Sequence, residues 1–319
     1  MASTPGTVVV LATGGTIAGS AAHATQHTGY QAGVLGAHAL LAAVPALQGL
    51  PLEAHTLAQL DSCDMDHATW ALLAARCAEH LARPEVAGVV VTHGTDTLEE
   101  TAYFLHRTVA APKPLVLTAA MRPATALSPD GPQNLCDAVT LAREPGTRGV
   151  LALMGGVVYA GADLRKLHGY RVAAFSAGDA GAVALMEDGR VRMLRPWPSP
   201  ALHRAAASLG DPSGWPQVHI VLSHAQADGR VVDALVAAVG PCKTRGIVIA
   251  GTGNGSVHHG LKAAAQRAVA IGVRVVRTSR CWDGGVVGDE PDALPSCGAL
   301  TPVQARIELM LDLLADQSV

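Results

Sequence analysis

Two segments of this chain repeat one design. VVVLATGGTIAGS at 8–20 and VVVTHGTDTLEET at 89–101 each run an apolar, β-branched stretch into a turn of Gly and Thr that leads towards a helix-forming segment. An open α/β sheet binds ligands outside the carboxyl ends of its strands, so two such turns can present hydroxyls to one crevice. Thr16 and Thr95 are therefore the first candidates for chemistry.

The same alternation organises the whole chain. Strand-like runs at 7–12, 86–92, 114–121 and 149–154 alternate with helical stretches at 35–47, 65–83, 97–110 and 132–143, the pattern of βαβ units and a parallel sheet. The runs are near-continuous Val, Leu and Ala, as expected of strands covered by helices on both faces. Between Arg195 and Pro216 five prolines interrupt the pattern, which neither a helix nor a strand ladder tolerates. Beyond them strand-like runs at 218–225, 246–255 and 273–280 alternate with helices from about 228, from 256 and at 301–316. The expected fold is two-domain α/β. A larger N-terminal domain, 1–195, has a mainly parallel sheet flanked by helices; a linker, 196–216, leads to a smaller C-terminal α/β domain, 217–319.

Composition narrows the function. With 49% hydrophobic residues in 319, core supply is not limiting. A formal charge of −3, with no basic stretch interleaved with aromatics, lacks the footprint of a nucleic-acid binder. No charged residue precedes Glu53 and the first Lys or Arg is Arg76, so the basic start of a secretory signal is missing and a cytoplasmic location is expected. Gly, Pro or polar residues interrupt every apolar run before it reaches membrane-spanning length. The six cysteines show no CxxC spacing and the 14 histidines no HExxH, so metal binding is not expected. A small polar ligand fits best.

Gly14, Thr16 and Gly19 do not make a dinucleotide fingerprint. The middle position carries a side chain, and the first acidic residue, Glu53, comes too late to hold a ribose. Thr95 or Thr97 can also serve simply as a cap for the helix near Leu98. Two hydroxyl-bearing turns, with Asn254 and Ser256 in a glycine turn after a third strand, favour a site over caps alone.

TGGTIAG at 13–19, THGTDTLEETAYFL at 92–105 and AMRPATALSPDGPQNLCDAV at 120–139 resemble the bacterial L-asparaginases, including the asparaginase-glutaminases, and the likeness runs from Val8 to about Leu314. The resemblance implies hydrolysis of the side-chain amide of L-asparagine, without a cofactor. Amides are poor electrophiles, so the reaction needs an activated nucleophile and donors for the oxyanion. By resemblance, Thr16 is the nucleophile and Tyr30 assists it. Thr95, Asp96 and Lys166, the last in ADLRKLHGYRVAAF, form a second activating group. Ser62, Thr95 and Asp96 hold the substrate's carboxylate and ammonium, and the carbonyl of Ala120 lies close to its amide.

Where the family has Gln or Glu after the serine, this chain has Cys63, a weak hydrogen-bond former that bears on the choice between asparagine and glutamine. The family also reaches a neighbouring subunit's site with a residue matching Ser256 or Asn254, and with a carboxylate for which Glu290 is taken over Asp289 and Asp292. A homotetramer follows by resemblance. Residues 20–33 are mostly small, carry no Asp, Glu, Lys or Arg around Tyr30, and are expected to act as a lid. The competing readings are a glutaminase-asparaginase and a non-catalytic amino-acid sensor.

Overall fold

The structure, a computed structural model, describes residues 6–19, 23, 25, 33, 35–199, 201–237, 243–288 and 293–316. The chain forms two compact units, Met1–Leu209 and Gly210–Val319, the division falling within the proline-rich stretch.

In the first unit the strands are β1 (Thr7–Gly14), β2 (Leu52–Leu60), β3 (Val86–Thr92), β4 (Pro114–Thr118), β5 (Gly149–Met154), β6 (Val157–Ala160), β7 (Arg165–Lys166), β8 (Phe175–Ser176), β9 (Ala184–Glu187) and β10 (Arg190–Met193). The helices are α1 (Ala37–Ala42), α2 (His67–Ala82), α3 (Leu98–Thr108) and α4 (Gly131–Arg143). Eight strands form one sheet in the order β10-β9-β6-β5-β4-β3-β1-β2, and β7 pairs with β8 separately. From β2 to β5 every neighbour is parallel, whereas β6, β9 and β10 join antiparallel.

Period-two alternation divides β1 between two cores. Val8 and Val10 join Leu135, Ala138 and Val139 of α4, with Val116, Leu151 and Leu153 from neighbouring strands. Val9 and Leu11 are equally buried, which accounts for the unbroken apolar run. The carboxyl ends of β4 and β5 are joined by Asn134 of α4, 1% exposed. Its Nδ2 donates to the Ala119 carbonyl at 2.9 Å, and its Oδ1 accepts from the Gly155 N–H at 3.0 Å.

The second unit has β11 (Gln217–Leu222), β12 (Thr244–Gly251) and β13 (Arg274–Ser279) in a parallel three-stranded sheet, with α5 (Arg230–Ala237), α6 (His259–Ala270) and α7 (Pro302–Asp316). Ile247 and Ile249 of β12 pack with Leu261, Ala264 and Ala268 of α6. Among the described residues no helix is long and apolar enough to cross a membrane.

The expected two-domain α/β class with a mainly parallel larger sheet is what the structure shows, with local differences. The helix expected over 35–47 is α1 followed by a 3₁₀ turn at Pro45–Leu47, because Pro45 lacks the N–H that a continuing helix needs. The strand expected over 114–121 stops at Thr118, where Asp130 takes the Met121 and Arg122 N–H groups at 3.0 and 2.9 Å. The helix expected from residue 256 starts at His259, capped by the His258 ring nitrogen. The edge strand β2 was not anticipated.

Truncating Asn134 leaves the Gly155 N–H and Ala119 carbonyl without this partner. Asn134→Ala should lower stability by about 2–3 kcal/mol; urea unfolding of both chains measures it.

Candidate active site

Three chain segments leave the sheet at neighbouring strand ends: Gly15–Gly19 after β1, Asp61–Asp64 after β2 and His93–Thr97 after β3. Their backbones touch. A Cβ on Gly15 would lie 2.4 Å from the Gly94 Cα, and one on Gly94 would lie 2.4 Å from Ser62 Oγ and 3.2 Å from the Gly15 Cα. Gly15 also has φ +81°, in the left-handed region that side chains disfavour. Only glycines at both positions let the turns close together, and each is followed directly by a threonine, Thr16 or Thr95.

Thr16 opens a 3₁₀ turn and is 7% exposed; Thr95 is 6% exposed. Ser62 is buried between the turns. Its Oγ accepts the Asp96 N–H at 3.1 Å, its carbonyl accepts the Thr97 hydroxyl at 2.7 Å, and its own hydroxyl proton remains a donor. Thr97 stands at the N-cap of α3 but makes no side-chain cap, its hydroxyl being used on Ser62.

Lys166 comes from β7, distant in sequence. Its Nζ donates to Thr95 Oγ1 at 3.0 Å and pairs with Asp96 Oδ1 at 2.5 Å. The ammonium end is largely shielded, at 14% side-chain exposure, whereas the Asp96 side chain is 55% exposed. An amine, a hydroxyl and an outward carboxylate thus meet within hydrogen-bond distance, a grouping suited to proton movement and to holding a cationic ligand.

Four residues outside the sequence-based assignment support this group. The Lys166 N–H donates to Glu99 Oε2 at 3.0 Å, fixing β7 on α3. Burial pushes the Glu99 carboxyl up to about 7, opposed by the hydrogen bond from the Lys166 N–H. Beneath the Gly94 turn runs a buried chain whose direction is forced. His93 Nδ1 lies 2.7 Å from the Gly94 carbonyl, which only accepts, so Nδ1 carries the proton. Its Nε2 then accepts from Thr101 Oγ1 at 3.0 Å, and Thr101 accepts from Trp70 Nε1 at 2.9 Å. Complete burial lowers the His93 pKa to about 4, so the ring stays neutral and the chain keeps its sense at physiological pH. The histidine within THGT was the available sequence signal; Glu99 read only as a favourable charge in the first turn of α3.

Cys63 is exposed in the 3₁₀ turn after β2. Burial first, then the carboxylates of Asp61, Asp64 and Asp96, push its thiol up, so it presents a protonated sulfhydryl. Ala120 is fully buried, following β4 in the segment pinned by Asp130 and Asn134. Asn254 and Ser256 belong to the second unit. The Asn254 amide brackets Val287, donating to its carbonyl at 2.8 Å and accepting its N–H at 2.7 Å, while Ser256 exchanges backbone hydrogen bonds with Thr252 and is exposed. Tyr30, Glu290, Asp289, Asp292 and most of the expected lid lie outside the described residues.

The chain matches two family models in succession, "Asparaginase, N-terminal" over residues 7–199 and "Glutaminase/Asparaginase C-terminal domain" over residues 217–318. It is similar to L-asparaginase 2 of Bacillus subtilis (strain 168), 36% identical over 311 residues that span 95% of this chain and 81% of that protein. It is also similar to the glutaminase-asparaginase of Pseudomonas fluorescens biotype A, 35% identical over 322 residues, 97% of this chain and 87% of that protein. Among solved structures, a probable cytoplasmic L-asparaginase from Campylobacter jejuni matches with a TM-score of 0.90 at 35% identity, covering 97% of this chain and 95% of that one.

Two results follow from the geometry. Glu99 has a folded-state pKa above its ordinary value of 4.5, so the folded chain binds the extra proton and loses stability as pH rises from about 4.5 to about 7. Relative to Glu99→Gln, the unaltered chain should lose up to about 3 kcal/mol over that range; urea unfolding at pH 4.5, 6 and 7.5 tests this, and parallel curves would exclude it. Gly94→Ala should cost about 1–3 kcal/mol or more by prising Ser62 and Gly15 from the turn, measured the same way.

Proposed function

The chain belongs to the asparaginase family, and from that premise we propose that it hydrolyses the side-chain amide of L-asparagine to L-aspartate and ammonia. The observation that carries the reading is the backbone contact of Gly15 with Gly94, which sets Thr16 beside the turn bearing Thr95, Asp96 and the Lys166 amine.

In this reading Thr16 Oγ attacks the amide carbon, with Tyr30 assisting removal of its proton. The carbonyl π electrons move to oxygen, and collapse of that oxyanion expels the nitrogen as ammonia once it has gained a proton. Water then adds to the resulting ester on Thr16, and collapse of that adduct breaks the acyl–Oγ bond, releasing aspartate as Thr16 Oγ regains a proton. Thr95 and Lys166, 3.0 Å apart, carry protons for these transfers. Ser62 and Thr95 donate to the substrate carboxylate, and Asp96 accepts from its ammonium. Ala120 lies along the substrate amide. A neighbouring subunit contributes Asn254 or Ser256 and an acidic residue, taken as Glu290, so that a homotetramer is the working form. The functional division is a catalytic domain, 1–195, a linker, 196–216, and a C-terminal domain, 217–319. No resident cofactor takes part, and the enzyme works in the cytoplasm.

Cys63 favours keeping a second substrate in view. A protonated thiol beside Asp96 offers the ammonium little hydrogen bonding, so the grip on the backbone of the amino acid is looser and L-glutamine is the alternative substrate. The likeness to a glutaminase-asparaginase points the same way.

Coupled detection of ammonia from L-asparagine and L-glutamine, side by side, tests the substrate. Thr16→Ala should cut kcat by roughly three orders of magnitude or more with the fold intact. A variant that keeps most of its turnover would refute the nucleophile, and ligand binding without ammonia from the unaltered chain would refute the enzyme.

A further inference from the structure

A second cluster lies at the opposite end of β2 from Ser62. Glu53 and His55 are two residues apart on this strand and so share one face, while His80 comes from the last turn of α2. One donor atom from each of the three, a carboxylate oxygen and two ring nitrogens, lies within 4.8 Å of the others. His55 Nε2 is 2.7 Å from Glu53 Oε1, and the two imidazoles stack with centroids 5.2 Å apart. A groove of about 660 Å³, open to solvent and lined by these residues, gives access.

The cluster already holds a cation. Arg83 Nη1 lies 3.0 Å from His80 Nδ1 and 3.1 Å from Glu53 Oε1, and it reaches Glu53 Oε2 at 2.9 Å. A guanidinium only donates, so His80 Nδ1 faces it with a bare lone pair. Neutral imidazole and ionised carboxylate are the forms that bind metal. Two imidazoles and one carboxylate are a ligand set for a borderline divalent ion such as Zn²⁺, with water in a fourth position. Arg83 can leave without stranding its charge, because its Nε already holds Glu85 at 2.9 Å.

We propose that Glu53, His55 and His80 form a site for a divalent transition-metal ion of the Zn²⁺ class, for which the Arg83 guanidinium is the built-in competitor. The run of β2 from Glu53 to Leu60 spans about 20 Å, which puts the ion beyond reach of the candidate active site. Its role is to clamp the edge strand β2 to α2, and binding to the folded chain alone raises stability.

The test is titration of metal-stripped protein with ZnCl₂, followed by calorimetry and thermal melting. Zn²⁺ should bind at one site per chain assignable to this cluster and raise Tm. His55→Ala and His80→Ala should each weaken that binding at least about tenfold and remove the Tm shift, while Arg83→Ala should strengthen both. His258→Ala, which alters the stacked histidine pair at the start of α6, should change neither. His80 is buried, so His55→Ala, at a partly exposed position, and Glu53→Gln carry the test should His80→Ala not fold. Zn²⁺ binding that survives His55→Ala and Glu53→Gln undiminished, or no uptake by either the unaltered chain or Arg83→Ala, overturns the proposal.

Discussion

The candidate active site depends on one contact, the approach of the Gly15 and Gly94 backbones to a distance that no side chain permits. Strands in a sheet lie about 4.8 Å apart, but the loops that leave them are free to diverge unless something holds them. Here several hydrogen bonds do. The Gly15 N–H is bound by the Leu60 carbonyl at 3.0 Å, and the Thr13 hydroxyl donates to the Thr92 carbonyl at 3.1 Å. Below them the neutral His93 ring ties the Gly94 carbonyl to Thr101 and Trp70. The hydroxyls of Thr16, Ser62 and Thr95 are placed by rigid backbone rather than by their own side-chain freedom, which is the preorganisation that amide chemistry needs.

On that frame the charges are arranged by depth. Glu99 is half-buried, with its carboxyl held towards the neutral form by desolvation while it anchors the Lys166 backbone. Lys166 lies between, shielded, with its Nζ shared by Thr95 and Asp96. Asp96 lies outermost and half in solvent, where a ligand's cationic group can meet it. A carboxylate that faces outward and a carboxyl that faces inward thus serve one lysine, and their exposures give them different tasks. Cys63 sits at the outer level, where desolvation first and the neighbouring carboxylates second keep its sulfur protonated and poor as a nucleophile.

How much of this could be read beforehand followed from how local each signal was. The central strands β1, β3, β4 and β5 were legible because burial on both faces makes them continuous apolar runs. β2 was not, because an edge strand with half-exposed residues, LEAHTLAQL, carries His, Thr, Gln and Glu that interrupt such a run. The short antiparallel strands β6, β9 and β10 give too few residues for a period to show. Resemblance named Thr16, Ser62, Thr95, Asp96 and Lys166, but spacing alone could not have joined Lys166 to Thr95, since the tertiary fold closes 71 positions between them. The Trp70–Thr101–His93 chain was invisible for the same reason, and Glu99 was masked by a common local explanation, a carboxylate complementing a helix terminus.

The two ends of β2 put the same physics to opposite uses. At its carboxyl end the strand delivers Ser62 into a turn whose backbone contacts leave no room for a side chain, so the polar groups there are fixed and directed at a crevice. At its amino end the polar groups lie along an open groove and against a mobile type of side chain, an arginine with an alternative carboxylate in reach. A guanidinium satisfies Glu53 and His80 by donating hydrogen bonds but cannot accept the lone pair of an imidazole into a coordinate bond, which a Zn²⁺ ion can. Either cation can therefore offset the Glu53 carboxylate, while only the metal can draw both histidines and the carboxylate onto one centre. Edge strands lack a neighbour to hold them on one side, and a cation linking β2 to α2 supplies there the restraint that the Gly15–Gly94 contact supplies at the other end.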